Sequence, residues 1–187
     1  IDQNRQQWLA EFDTDKDGTL SLGGLFDGAA GAIDAVMAAA LGVENHLIVA
    51  VPQGSGIGNR AIMAQADLTS YNVTTPVADV VSVQCDFQCD GGVDTGVVLH
   101  ALTAETATGT STSVDNAALT SNGGVAILNV TANSRNGTTV IKVQHSVDNS
   151  TWVDLVTHAT VATSTPTSER VVVAAGTTVN RYLRSEE

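Results

Sequence analysis

The stretch Val81-Ser-Val-Gln-Cys-Asp-Phe-Gln-Cys-Asp90 alternates without a break. Val81, Val83, Cys85, Phe87 and Cys89 point to one side; Ser82, Gln84, Asp86, Gln88 and Asp90 point to the other. A period of two is that of a β-strand buried on one face and wet on the other. Cys85 and Cys89 lie about 13 Å apart along such a strand, at roughly 3.3 Å per residue. A disulfide accepts Cα atoms only about 4.4–6.8 Å apart. The two cysteines are therefore read as small buried apolar residues of the strand.

Outward from this strand the signals stay β, with one exception. Asp27 is placed to cap a helix over about 27–41, with Ile33, Val36, Met37, Ala40 and Leu41 as its apolar stripe. Gly42 sits just past its end, where a left-handed cap is expected. Strands are predicted at 46–51, 60–66, 77–89, 96–101, 124–132, 139–145, 151–157, 170–174 and 179–184. They are separated by the turn-forming runs GSGIGN, DGG, TSNGG, NSRNG and SVDNS. This spacing predicts a mainly β fold, an antiparallel β-sandwich or barrel with one flanking helix and long loops. Residues 103–123 are poor in large apolar groups and read as a long solvated loop, a candidate inter-subunit contact arm. Residues 1–26 read as an N-terminal segment and 27–187 as one domain.

Composition narrows the function. The chain has 187 residues, of which 43% are hydrophobic but only 15% charged, against roughly 25% in an ordinary soluble domain. Its surface must be covered by Ser, Thr, Asn, Gln and Gly, or by another copy of the protein. Aromatics are 4%, so Val, Ile, Leu and Ala build the core, which suits thin packed sheets. A net charge of −12 argues against holding nucleic acid through its phosphates and against docking on an anionic membrane. It leaves open a surface that DNA passes without sticking. No apolar run approaches membrane-spanning length, and the opening IDQNRQQWLAEF does not read as a signal peptide.

Three local motifs bear on chemistry. Asp13, Asp15, Asp17 and Gly18 match an EF-hand loop at positions 1, 3, 5 and 6, with Thr19 and Ser21 as further oxygen donors. Position 12 is Gly24, where a bidentate Glu belongs, and no second EF-hand follows. Asp13, Asp15, Asp17 and Thr19 are thus candidate Ca²⁺ ligands beside the alternative of a solvated acidic turn. Gly54-Ser-Gly56-Ile-Gly58 after an apolar strand has the look of a dinucleotide loop. Asn59 fills the last glycine position and no βαβ series follows, so a turn is the better reading. Ser146–Trp152 resembles a shortened Asp-box hairpin turn, with Asp148 and Asn149 bonding the turn and Trp152 beneath it. The histidines, His46, His100, His145 and His158, are scattered, and no nucleophile elbow, zinc-protease helix or P-loop occurs. The expectation is a protein without catalytic residues and without an organic cofactor.

Five segments resemble the major tail (tail tube) proteins, and related virion proteins, of long-tailed, siphovirus-like bacteriophages. They are KDGTLSLGGLFDGAAGAIDAVMAAALG, PVADVVSVQCDFQCDGGVDTGVVLHAL, TATGTSTSVDNAALTSNGGVAILNVTA, TTVIKVQHSVDNSTWVDLVTHATV and SERVVVAAGTTVNRYLR, together spanning about 16–184. The resemblance implies a subunit that self-assembles into stacked, hexameric rings, whose inner sheets join into one barrel and form the conduit for DNA ejection. Its partners are then other copies of itself and further tail or virion proteins, with DNA passing unbound and no membrane involved. Its place is the virion, after assembly in the cytoplasm of the bacterial host. Gln84, Asp86, Gln88 and Asp90 become the candidate lumen-facing residues. Two alternatives stand beside this reading, a capsid decoration or fibre protein and a carbohydrate-binding β-module using the Trp152 turn.

Overall fold

The computed structural model describes residues 18–30, 32–77, 79–131, 139–161 and 167–187. In chain order the elements are β1 (Thr19–Leu25), α1 (Ile33–Ala40), β2 (His46–Ala50), β3 (Arg60–Thr74), β4 (Ser82–Val97), β5 (Val114–Asp115), β6 (Gly124–Val130), β7 (Lys142–Ser146), β8 (Val153–Thr157), β9 (Thr167–Val173) and β10 (Tyr182–Glu186). They form a mainly β fold with one flanking helix. The sheets are β1-β4-β3-β2, β5-β10-β7-β8 and the ribbon β6-β9. Among the described residues no sheet closes into a barrel.

The chain divides into two compact units, residues 1–49 with 62–94, and residues 50–61 with 95–187. In the first unit the alternation of β4 sets the architecture. Val83, Cys85, Phe87 and Cys89 are buried, whereas Gln84, Gln88 and Asp90 are exposed. Cys85, Phe87 and Cys89 of this row pack with Ala64, Ala66 and Leu68 of β3, and Leu20, Met37, Ala40, Ile48 and Tyr71 close around them. The helix α1 therefore covers the apolar face. Alanines on both the strand and the helix let them approach closely, as small side chains must.

Antiparallel pairing of β1 with β4 sets Leu20 opposite Phe87, Ser21 opposite Asp86 and Leu22 opposite Cys85. Residues 19–25 were placed by the sequence in the N-terminal segment, and they form this outer strand. Leu68 and Tyr71 both join the core cluster. The alternation of β3 therefore slips by one residue between them, since like-facing residues in a strand are an even number apart. The slip lets Ser70 reach the polar side.

Several boundaries differ from expectation, each for a local reason. The helix begins at Ile33, not near Asp27, because the Asp27 carboxylate accepts from the Ala29 amide and closes a bend ahead of it. The N-cap is Ala32 without a side-chain bond. Gly42 has φ 77°, the left-handed conformation expected past a helix end. The DGG run does not turn the chain back: β4 continues through it to Val97, with Gly92 at φ 90°, so 96–101 is not a separate strand. β3 runs on past Ala66 to Thr74.

In the second unit β7 pairs with both β10 and β8, and a register shift follows Val143. β5, only two residues long, lies inside the predicted 103–123 loop and pairs with β10 at Tyr182 and Leu183. The β6-β9 ribbon sets Ile127 opposite Arg170. The strands predicted at 139–145, 151–157 and 179–184 start later, at Lys142, Val153 and Tyr182, with Thr139 and Val179 surviving as isolated bridges to Val161 and Thr120. Gly123, at φ 78°, enters β6 where a Cβ would stand 2.6 Å from the Val173 carbonyl oxygen. No other residue type fits that turn without displacing backbone.

Two substitutions separate the faces of the first sheet. Phe87→Ala is expected to cost about 3–5 kcal/mol in chemical denaturation, as a buried aromatic lost from a core does. Gln84→Ala, on the exposed row, should stay within about 0.5 kcal/mol of the parent.

Candidate functional site

The polar face of the first sheet is organised around Asp86. Ser21 of β1 donates to its Oδ1 at 2.7 Å, and Ser70 of β3 donates to Oδ2 at 2.7 Å. Gln84 reaches Oδ1 at 3.4 Å, and the Thr69 hydroxyl donates to the Asp86 backbone carbonyl at 2.8 Å. These donors, Ser21 first, hold the Asp86 carboxyl below the usual carboxylate range. A carboxylate so supplied stays ionised at neutral pH and needs no cation. Gln88 donates to the Gly18 carbonyl, and Asp90 is exposed at the end of the same row. Gln84, Asp86, Gln88 and Asp90 thus do share one polar face, as the alternation required. Ser21 and Ser70, which fix Asp86, escape sequence reading because they come from two other strands.

Of the candidate Ca²⁺ ligands, Asp13, Asp15 and Asp17 lie outside the described residues. Thr19 opens β1 opposite Gln88. The Gly54–Gly58 segment forms turns, with Gly54 and Gly58 both at φ 84° and the Asn59 amide donating to the Gln53 and Gly54 carbonyls. Cys85 and Cys89 are buried thiols, and burial first, then Asp86, raises the Cys85 pKa.

In the turn after β7, Asp148 accepts from the amides of Thr151 (2.8 Å) and Ser150 (3.0 Å) and from the Ser146 hydroxyl (2.9 Å). These bonds depress its pKa, and Asn149 takes φ 60°. Asp148 bonds the turn as expected, Asn149 contributes its left-handed backbone, and Trp152 meets a neighbour that the sequence did not point to. Arg184 of β10 lies over the indole, 4.2 Å from the ring centroid. Arg184 also donates twice to the Gln144 side-chain oxygen, at 2.9 and 2.8 Å. Buried Gln144 in turn donates to Asp154 and Glu186, which flank Lys142 at 2.9 and 3.6 Å. A polar network therefore ties β8, β7 and β10 together, all its members satisfied across strands.

A further cluster forms beside residues 100–112. His100 Nε2 lies 2.9 Å from Glu187 Oε1 and 3.4 Å from Glu105 Oε1. Its Nδ1 is 2.8 Å from the Ala101 carbonyl oxygen. The three residues border a cavity of about 280 Å³ lined also by Thr103, Ser111 and Thr112. Glu105 is near His100 in sequence, but Glu187 is brought there only by the pairing of β10. That pairing is why the sequence left His100 among the scattered histidines.

Comparison with protein-family models, with characterised proteins and with solved structures finds no match for this chain.

A clear electrostatic prediction comes from β5. Arg181 donates to both Asp115 oxygens, at 2.7 and 2.6 Å, and the Ala117 amide adds a third bond. Together, Arg181 first, they lower the Asp115 pKa to about 2. A carboxyl whose folded pKa lies below its unfolded value of about 3.9 stabilises the fold above that value. The contribution is lost as the pH falls from about 4 through about 2. Carboxyl ¹³C NMR should place the Asp115 midpoint near 2 in the parent and clearly higher in Arg181→Ala.

Proposed function

We propose that this chain is a structural subunit that assembles with copies of itself, and that the assembly is the tail tube of a long-tailed bacteriophage. The observation that carries the reading is the two-sided first sheet. Its apolar face is covered by α1, while its other face presents the row Gln84, Asp86, Gln88 and Asp90 to water. Among the described residues β1 and β2 are the outer strands of this sheet, and such edges offer backbone donors and acceptors to a neighbouring strand. Joining such edges around a ring removes them and turns the polar row toward a lumen.

Charge supports the same reading. Asp86 is held ionised by its own hydrogen bonds, and Asp90 adds a second carboxylate to the row. A wall of that sign repels phosphate, so DNA slides past it without sticking. Large apolar side chains are also left outside: Leu25 is 70% exposed and Val77 99% exposed, and Val80, Leu41 and Val43 are exposed as well. In a chain with so few charges, these are the groups that a neighbouring copy covers.

On this reading the role is mechanical, not catalytic, and the partners are other copies and further tail proteins. The subunit assembles in the host cytoplasm and resides in the virion. Against a sugar-binding module stands Arg184, which occupies one face of the Trp152 ring that a sugar would need.

Purified protein at high concentration should show rings or stacked tubes by negative-stain microscopy. Monomers or shell-binding trimers would instead favour a decoration or fibre protein. Leu25→Glu should abolish the rings while leaving the far-UV circular dichroism unchanged.

A further inference from the structure

The cluster His100, Glu105 and Glu187 poses a chemical question that the tail-tube reading does not answer. A carbonyl oxygen has no hydrogen to give, so the 2.8 Å contact with Ala101 requires Nδ1 of His100 to carry the proton. In the neutral imidazole Nε2 then bears the lone pair. That lone pair faces two carboxylate oxygens at 2.9 and 3.4 Å, an arrangement that repels unless something positive sits between them. Either a second proton on Nε2 or a cation meets the need.

We propose that His100 Nε2, Glu105 Oε1 and Glu187 Oε1 form a divalent metal site of Zn²⁺ type. The three ligand atoms lie within 4.8 Å of one another. Tetrahedral zinc with bonds of about 2.0–2.2 Å sets its ligand atoms roughly 3.4 Å apart. The Nε2–Glu105 separation already has that value, and the Nε2–Glu187 separation has to widen by about 0.5 Å. The bond from Nδ1–H to a backbone carbonyl is the usual support of a metal-binding histidine, fixing its tautomer and ring plane. The Thr103 hydroxyl, 3.3 Å from Glu105 Oε1, supports the second ligand in the same way.

The donor set selects the metal. One imidazole with two carboxylates suits zinc or a neighbouring first-row ion, whereas Ca²⁺ and Mg²⁺ prefer oxygen alone. The set is also distinct from the Asp13–Asp17 loop, which offers only oxygens. Three protein ligands leave a fourth position, and the cavity of about 280 Å³ beside the cluster provides room for it. A water, or a carboxylate or hydroxyl brought by another molecule, is the group that fits there.

Pieces of the chain far apart in sequence supply the ligands: the 100–105 segment follows β4, and Glu187 follows β10. The Glu187 amide donates to the Gly109 carbonyl at 3.0 Å, and Thr110 bridges to Glu186. The last strand is thus already held beside the segment that carries His100. A metal added here fastens two ends of the second unit. The proposal concerns that unit alone and does not depend on self-assembly.

The test is isothermal titration of the 187-residue chain with ZnCl₂ at neutral pH, with ¹⁵N NMR of the imidazoles. One ion should bind per chain, and the His100 Nε2 resonance should shift while His46, His145 and His158 do not. His100→Ala and Glu105→Gln should each weaken binding by more than about tenfold, since even outer supporting groups contribute about 10–100-fold. Glu105 is well exposed, so Glu105→Gln keeps the test sound if His100→Ala fails to fold. Absence of binding at millimolar Zn²⁺ would overturn the proposal. Binding that is unchanged in both variants would overturn it equally.

Discussion

Everything in the first unit depends on one row of side chains being withdrawn from water. Val83, Cys85, Phe87 and Cys89 are all less than a tenth exposed, and what the last three pack with is mostly small: Ala64, Ala66 and Ala40, with Leu68 and Met37 filling the remaining space. A core so poor in aromatics is thin, and thinness dictates that the covering helix lie close to the strands. Because a pleated strand cannot bury both faces against one layer, the opposite row is handed to solvent. Its hydrogen-bonding capacity is then spent sideways, Asp86 taking Ser21 from one neighbouring strand and Ser70 from the other.

The second unit is held by other means. Its buried residues include Gln144, Ser146, His158 and Ser185 beside Val156, Val161 and Val179. Gln144 alone bonds Arg184, Asp154 and Glu186. Such a network contributes direction more than bulk stability, because each partner must be met at a fixed angle. The register of β7 against β10 and β8 is specified by these contacts as much as by hydrophobic pattern.

How much of this was legible depended on whether a feature was local. The strand around 81–89 was readable because alternation is written in adjacent residues, and Gly42 marked the helix end for the same reason. The helix start was misplaced because Asp27 had two local bonding choices and took the tighter bend. The DGG run reads as a turn, yet glycine also permits a bulge inside a continuing strand, and only pairing decides between them. β1 was missed because its Leu20 and Leu22 alternation breaks at Gly23-Gly24, and β5 because two residues carry no pattern; each pairs where β4 or β10 offers an edge. The clusters behave alike. Asp86 was found, but its donors, and the meeting of His100 with Glu187, are products of strand pairing across long stretches of chain.

The two thiols of β4 have a consequence beyond packing. Cys85 is 1% exposed and its pKa is raised, which leaves little thiolate for any reagent to attack. Both sulfurs become chemically visible only when the sheet parts from its helix or from its neighbouring strands. The rate at which the native chain takes up a thiol reagent is therefore a built-in clock for opening of the first unit, supplied by the sequence without a label.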